Sequence, residues 1–197
     1  MKAEELVKEM KFKAVIISCC TYRILSMIQV LYDILSSKDG SIRGPRRDPN
    51  EPQSVTLITL NPDLFYASSH PSQRLGPAVE STMISSVMKQ SLGIDVQFEE
   101  YGKPKTFNYD FVEKTLQERA MRQRIKISNF YMIGDNPRSD IAGANAKGWV
   151  SILVRTGVFD ADAETSKDGN DIEHPATHVV ENFQEAIELI YRLEGLN

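Results

Sequence analysis

Cysteine is scarce in this 197-residue chain: there are two, Cys19 and Cys20, and they are neighbours. Adjacent cysteines make no disulfide framework, so an apolar core must hold the fold, and this usage suits a reducing, intracellular compartment. Long hydrophobic runs are missing as well. No apolar stretch approaches the roughly 20 residues of a membrane-spanning helix, so no membrane partner is expected. Positive charge is not in surplus either. Lys plus Arg number 23 against 27 Asp plus Glu, a formal net charge of −4, which argues against a surface built for nucleic acid or anionic lipid. Small ligands or other proteins are the expected partners. The first residues, Met1 to Glu5, lack the apolar stretch of a signal peptide and the acid-poor, Arg-rich character of a transit peptide. What is present is a globular composition, 41% hydrophobic and 25% charged, sufficient for one domain or two small ones.

Hydrophobic periodicity alternates between strand-like and helix-like segments, which predicts an α/β fold with parallel strands. Residues 13 to 18 read as a buried strand. Ile24, Ile28, Leu31, Tyr32 and Leu35 then recur at helical spacing and predict a helix over 22 to 37. Residues 36 to 53, rich in Ser, Gly, Pro, Arg and Asp, read as a solvated loop. A β-branched strand over 54 to 60 is stopped by the turn chemistry of Asn61-Pro62-Asp63, and a helix runs from the Gly76-Pro77 break to Gly93. The second half repeats the pattern. A helix from about Phe107 carries Phe111, Leu116 and Ala120 on one face, and strands are predicted over 128 to 133, 149 to 154 and 178 to 180. A closing amphipathic helix carries Phe183, Ala186, Ile187, Ile190 and Tyr191. A boundary is placed near residue 100.

The segment richest in chemistry runs from Tyr131 through Gly134-Asp135-Asn136 to Asp140. A buried strand that delivers Gly-Asp onto a loop, with a second Asp five residues on, sets two carboxylates at the carboxyl end of a parallel strand, where α/β folds bind ligands. Paired carboxylates there suit a hard cation such as Mg²⁺ bridging to a substrate phosphate. The same residues equally read as a helix cap. Upstream, Gly102-Lys103-Pro104 lies just before a helix, where Lys103 can offer its ammonium to a phosphate oxygen; alone it would pass for an ordinary surface lysine.

Together, Gly102-Lys103-Pro104 and the segment from Gly134 to Ala144 resemble the third and fourth motifs of the haloacid dehalogenase (HAD) superfamily, subclass IIA. Asn61-Pro62-Asp63, Arg74-Leu75-Gly76, the segment from Ser151 to Phe159 and that from His174 to Val180 resemble the branch of the cat-eye-syndrome critical region protein and its fungal mitochondrial relatives. The resemblance implies a Mg²⁺-dependent phosphohydrolase acting on a small phosphorylated substrate, with a Rossmann-like core of parallel sheet and flanking helices and an α/β cap. Cap and core would here be residues 1–100 and 101–197. It implies that Asp135 is a metal ligand, that Asp140 is a supporting acid near the lysine that reaches the metal directly or through water, and that Lys103 stabilises phosphate charge. Asn61 and Asp63 fall in a segment that faces substrate in relatives, although Asn-Pro-Asp is also a plain turn. Asn136 is the third candidate substrate contact. A mitochondrial setting is implied by the fungal relatives, the cytoplasm being the alternative.

One departure stands out. The family's nucleophile is an Asp in an Asp-x-Asp pattern after an apolar strand, and no such pattern precedes Lys103. The Asp-x-Asp present is Asp160-Ala161-Asp162, in a polar stretch that reads as solvated loop. Cys19 on an apolar strand reads as packing, and His70, His174 and His178 have no triad context. The expectation is therefore a cap with the last half of a core, inactive by itself because metal and lysine do not replace an attacking carboxylate. The alternatives are a non-catalytic binding or assembly module and a phosphate-ligand sensor. In the family the strand before Asp135 pairs with the nucleophile strand. An open sheet edge is thus expected here, inviting self-association or a partner.

Overall fold

The apolar run Ala14–Ile17 forms strand β1 of the computed structural model, which describes residues 10–18, 23–160 and 166–196. The chain divides into two units, Met1–Leu64 with Leu75–Tyr101, and Phe65–Arg74 with Gly102–Asn197.

In the first unit β1 is followed by helix α1 (Ile24–Leu35), strand β2 (Thr56–Thr59), helix α2 (Ala78–Leu92) and strand β3 (Phe98–Glu100). The strands form a parallel sheet in the order β1-β2-β3, with Ile17 opposite Thr59 and Thr59 opposite Glu100. Side chains alternate across a strand, so Leu57 and Thr59 are buried while Thr56 and Ile58 are half-buried. The apolar stripe of α1 (Ile28, Leu31, Leu35) and Ile84 and Met88 of α2 close the core over Ile17 and Leu57. Each such side chain contributes about 1.5–3 kcal/mol by leaving water. On the opposite face of the sheet Ile16 is 59% exposed. Helix α2 stops at Gly93, whose φ of 67° is the left-handed conformation that a glycine adopts without strain.

The segment after α1 departs from the solvated loop its composition suggests. Ser36, Ser37, Ser41 and Arg47 are all buried. Arg47 replaces part of the water it loses with protein carbonyls, its Nε donating to Leu35 O at 2.9 Å and its Nη1 to Glu51 O at 2.7 Å. A long polar side chain folded back on the end of a helix satisfies carbonyls that the helix leaves open, and composition alone does not reveal that.

The second unit contains helix α3 (Thr106–Arg122), strand β4 (Tyr131–Gly134), a π-helical turn (Pro137–Ile141), helix α4 (Ala142–Lys147), strands β5 (Val150–Val154) and β6 (His178–Val180), and helix α5 (Phe183–Leu193). Its parallel sheet has the order β6-β5-β4, with Gly134 opposite Leu153. The central strand β5 is largely buried on both faces, as a covered parallel strand is. Leu153 packs with Ile141, Phe159 and Ala176 on one side, while Ile152 and Val154 pack with Ala186 of α5 on the other. Asn182 caps α5, its side chain accepting from Glu185 N at 3.0 Å. Among the described residues β4 pairs with β5 on one side and with no strand on the other.

Of the stripe predicted for α3, Ala120 alone is buried. Phe111 is 64% exposed and Leu116 is exposed too, while Tyr109 and Ala120 are the residues the helix buries. Spacing identified a face, but burial depends on what packs against it. Between β5 and β6 there is a small antiparallel pairing of Ser166–Lys167 with Asn170–Asp171. No helix among the described residues is long and apolar enough to cross a membrane.

Candidate active site

The short Tyr131–Gly134 strand ends on glycine for a steric reason. A Cβ at Gly134 would sit 2.3 Å from Cβ of Asp140, so only a residue without a side chain lets the π-helical turn fold back against the strand end. Asn136 opens that turn. Its side-chain oxygen accepts from Arg138 N at 3.1 Å, while Asp140 Oδ2 accepts from Asn136 N at 3.2 Å. This reciprocal arrangement satisfies two amides at the start of the turn. The cap is therefore Asn136, and Asp135 is left for other partners.

Asp140 has a buried side chain, and its Oδ1 accepts from the Nζ of Lys103. Lys103 comes from the turn preceding α3. That helix is anchored by Tyr109, whose hydroxyl is directed at the carbonyls of Ser139 (3.2 Å) and Asp140 (3.1 Å). Burial, with the Asp140 charge adding to it, pushes the Tyr109 phenol up to about 12, so the group stays a neutral donor. Gly143 makes room for the ring: a Cβ there would lie 2.4 Å from it. The edge of Tyr109 also meets Trp149, with ring centroids 5.3 Å apart.

Asp135 joins the site to the segment after β5. Its Oδ2 accepts from Val158 N at 2.7 Å, and its carbonyl accepts from Phe159 N at 3.0 Å. Gly157 is required by this closeness, since a Cβ there would fall 1.8 Å from Asp135 Oδ2. Gln73 Nε2 also donates to Val158 O at 3.2 Å.

Lys103, Asp135, Asn136 and Asp140 thus gather around the carboxyl end of β4. The other candidates are carried by other elements. Asn61 and Asp63 belong to the first unit, where Asn61 Oδ1 accepts from Asp63 N at 2.9 Å in a side-chain-closed turn. His70 bonds locally with Ser72. Cys19, Cys20, Ala161 and Asp162 fall outside the described residues, so only Asp160 of the Asp-x-Asp sequence is described. Sequence reasoning missed Tyr109, whose only signal is its place on the helix that follows Lys103. It also missed Gly157 and Val158, which nothing local marks as neighbours of Asp135. Among the described residues no group of three or more His, Cys, Asp or Glu side chains gathers to hold a metal.

A parallel α/β unit with acidic and lysine side chains at a strand's carboxyl end places them where such folds bind ligands. Residues 100–186 match the HAD-hydrolase-like family model. A cardiolipin synthase (CMP-forming)/mitochondrial hydrolase fusion protein of Schizosaccharomyces pombe is 34% identical over 164 residues, covering 81% of this chain and 26% of that protein. A mitochondrial hydrolase of Saccharomyces cerevisiae is 28% identical, covering 76% of this chain and 48% of that one. Among solved structures, a possible sugar phosphatase of the HAD superfamily from Cytophaga hutchinsonii is 28% identical with a TM-score of 0.51, covering 66% of this chain and 42% of that one. Residues 100–186 are thus similar to the HAD-hydrolase-like family, and the chain as a whole is similar to proteins named hydrolases. It spans less than half the length of each of these three relatives.

Proposed function

We propose that the protein serves Mg²⁺-dependent hydrolysis of a small phosphate ester, as a member of HAD subclass IIA with residues 1–100 in the cap. The observation that carries this reading is the Lys103–Asp140 pair beside Asp135, held on one turn at the carboxyl end of β4. Lys103 would hold phosphate charge, Asp140 would fix the lysine and support the metal, and Asp135 would ligate the metal. The donor set fits Mg²⁺ in part. That ion commonly takes one or two carboxylates and completes its shell with water and substrate phosphate, and Asp135 Oδ1 accepts no hydrogen bond among the described residues. When bound, the ion supplies Lewis-acid polarisation of the phosphate. The relatives named mitochondrial hydrolases support a mitochondrial setting, and the sugar-phosphatase neighbour supports a small phosphorylated substrate.

No Asp-x-Asp precedes Lys103 in the sequence, and the covalent step needs an attacking group. Our reading is that these 197 residues bind metal and phosphate without turning over an ester by themselves. A second reading, a binding or assembly module that self-associates or takes a partner, is favoured by the side of β4 that no strand among the described residues pairs. The purified chain is to be titrated calorimetrically with Mg²⁺ and with inorganic phosphate, and assayed with p-nitrophenyl phosphate. Binding lost in Asp135→Asn and Lys103→Ala, with no turnover in the parent, is expected. Turnover abolished by Asp135→Asn would overturn the inactivity. Absence of both Mg²⁺ and phosphate binding would overturn the phosphate reading and leave the assembly module, visible as a concentration-dependent mass in sedimentation.

A further inference from the structure

Helix α2 carries Ser81, Thr82, Ser85 and Ser86 within two turns. Serine and threonine compete with the helix backbone and are indifferent helix formers, so this concentration does nothing for the helix itself. Positions 78, 81, 82 and 85 share a face. That face meets Thr59, the last residue of β2, and Phe98 and Glu100 of β3 around a cleft of about 390 Å³ that lies wholly within the first unit. Its place at the carboxyl ends of β2 and β3 is where parallel α/β sheets bind ligands.

Two of the residues lining this cleft carry buried hydroxyls that bond to nothing among the described residues. Thr59 is 3% exposed and its Oγ1 has no hydrogen-bond partner among the described residues, and Ser81 Oγ is likewise buried without one. Thr82 shows the usual alternative, donating back to Ala78 O at 2.9 Å. Buried polar atoms without partners are costly, and each calls for an explanation.

We propose that this cleft binds a neutral polyhydroxylated ligand, a sugar or sugar alcohol, through the hydroxyls of Thr59, Ser81 and Ser85. Each hydroxyl both donates and accepts, which is the pairing that the hydroxyls of a polyol require. Phe98 supplies apolar surface for the C–H face of the ligand. No Lys, Arg or His lines the cleft, and Glu100 adds negative charge, so a phosphate or carboxylate group finds no counter-charge there. The assignment does not rest on phosphate hydrolysis and uses none of Lys103, Asp135 or Asp140.

The test is a ¹H–¹⁵N NMR titration of the full chain with sorbitol, with glucose and, separately, with inorganic phosphate. Saturable shifts of the Thr59, Ser81, Ser85 and Glu100 amides with sorbitol or glucose, and none there with phosphate, are expected. Thr59→Val keeps the side-chain shape and removes the hydroxyl. It and Ser81→Ala should each weaken binding at least tenfold while leaving the thermal midpoint unchanged or higher, because neither hydroxyl bonds within the fold. Ser85→Ala, at a half-buried helix position, serves as the third variant and keeps the test open should Thr59→Val fail to fold. Shifts that do not saturate or that scatter over the chain, phosphate acting on the same amides, or variants that bind like the parent would each overturn the proposal.

Discussion

The ammonium of Lys103 donates to Oδ1 of Asp140, 37 positions further along the chain, and the pair is lopsided: the lysine side chain is 43% exposed and the aspartate 4%. The carboxylate is the group at risk, because it has left water and depends on Lys103 and on the amide of Asn136. Removing one partner of a fully buried pair costs about 3–5 kcal/mol, but the half-exposed lysine is already screened. Lys103→Ala should therefore destabilise by about 1–2 kcal/mol in urea unfolding. Once Asp140 is Asn, the same lysine substitution should cost less than about 0.5 kcal/mol. Equal costs in the two backgrounds would show that the pair does not stabilise the fold.

Gly157 and Gly134 set the positions of the two carboxylates by leaving space for them. A methyl group at 157 meets Asp135 Oδ2, and one at 134 meets Cβ of Asp140. Gly157→Ala and Gly134→Ala should each lower stability by about 1–3 kcal/mol, the usual cost of overpacking. Gly157→Ala should also break the bond between Asp135 and Val158 N, seen as faster hydrogen exchange of that amide. Unchanged exchange would mean that the loop adapts without moving Asp135.

How much of this was legible in the sequence depends on whether the signal was local. Strands β4 and β5 and the turn between Gly134 and Asp140 are written in contiguous residues, as an apolar run followed by Gly-Asp, and the structure has them there. Lys103 and Asp140 could be associated only through the resemblance, because no periodicity links positions so far apart. Burial of Arg47 ran against a composition that suggests solvent, since its carbonyl partners Leu35 and Glu51 flank it at a distance. The reverse held for Phe111 and Leu116, where helical spacing marked an apolar face that the described residues leave exposed. Asn136 as the cap was missed because Asp135, next to it, is an equally good capping residue by type.

Ser139 offers a prediction of the opposite sign from the glycines. It is 3% exposed, and its Oγ has no hydrogen-bond partner among the described residues. A buried hydroxyl in that state is itself destabilising, so Ser139→Ala should leave stability unchanged or raise it by up to about 1 kcal/mol. A loss larger than about 1 kcal/mol in urea unfolding would mean that the hydroxyl is bonded after all. Calorimetry of the same variant with Mg²⁺ and phosphate asks whether that hydroxyl serves a ligand instead.

Tyr109 should make stability fall in the alkaline range. Its phenol is raised from 10.0 to about 12 by burial and then by the Asp140 charge. Below pH 10 the folded and unfolded chains both keep the proton, so the contribution of this group is constant there. Between about pH 10 and 12 the unfolded chain releases the proton while the folded chain retains it. The folded state therefore binds more protons, and stability drops as pH rises, by at most roughly 3 kcal/mol over the window. Tyr109→Phe separates this from the titration of lysines and exposed tyrosines. At pH 8 it should cost about 1 kcal/mol, because one phenol proton is shared between the carbonyls of Ser139 and Asp140. At pH 11 the difference between variant and parent should shrink or reverse, since the variant has no phenol to ionise. Urea midpoints that stay the same distance apart at pH 8 and pH 11 would show that Tyr109 titrates as a solvent-exposed tyrosine does, and would remove it as the buried anchor of the turn that carries Asp140.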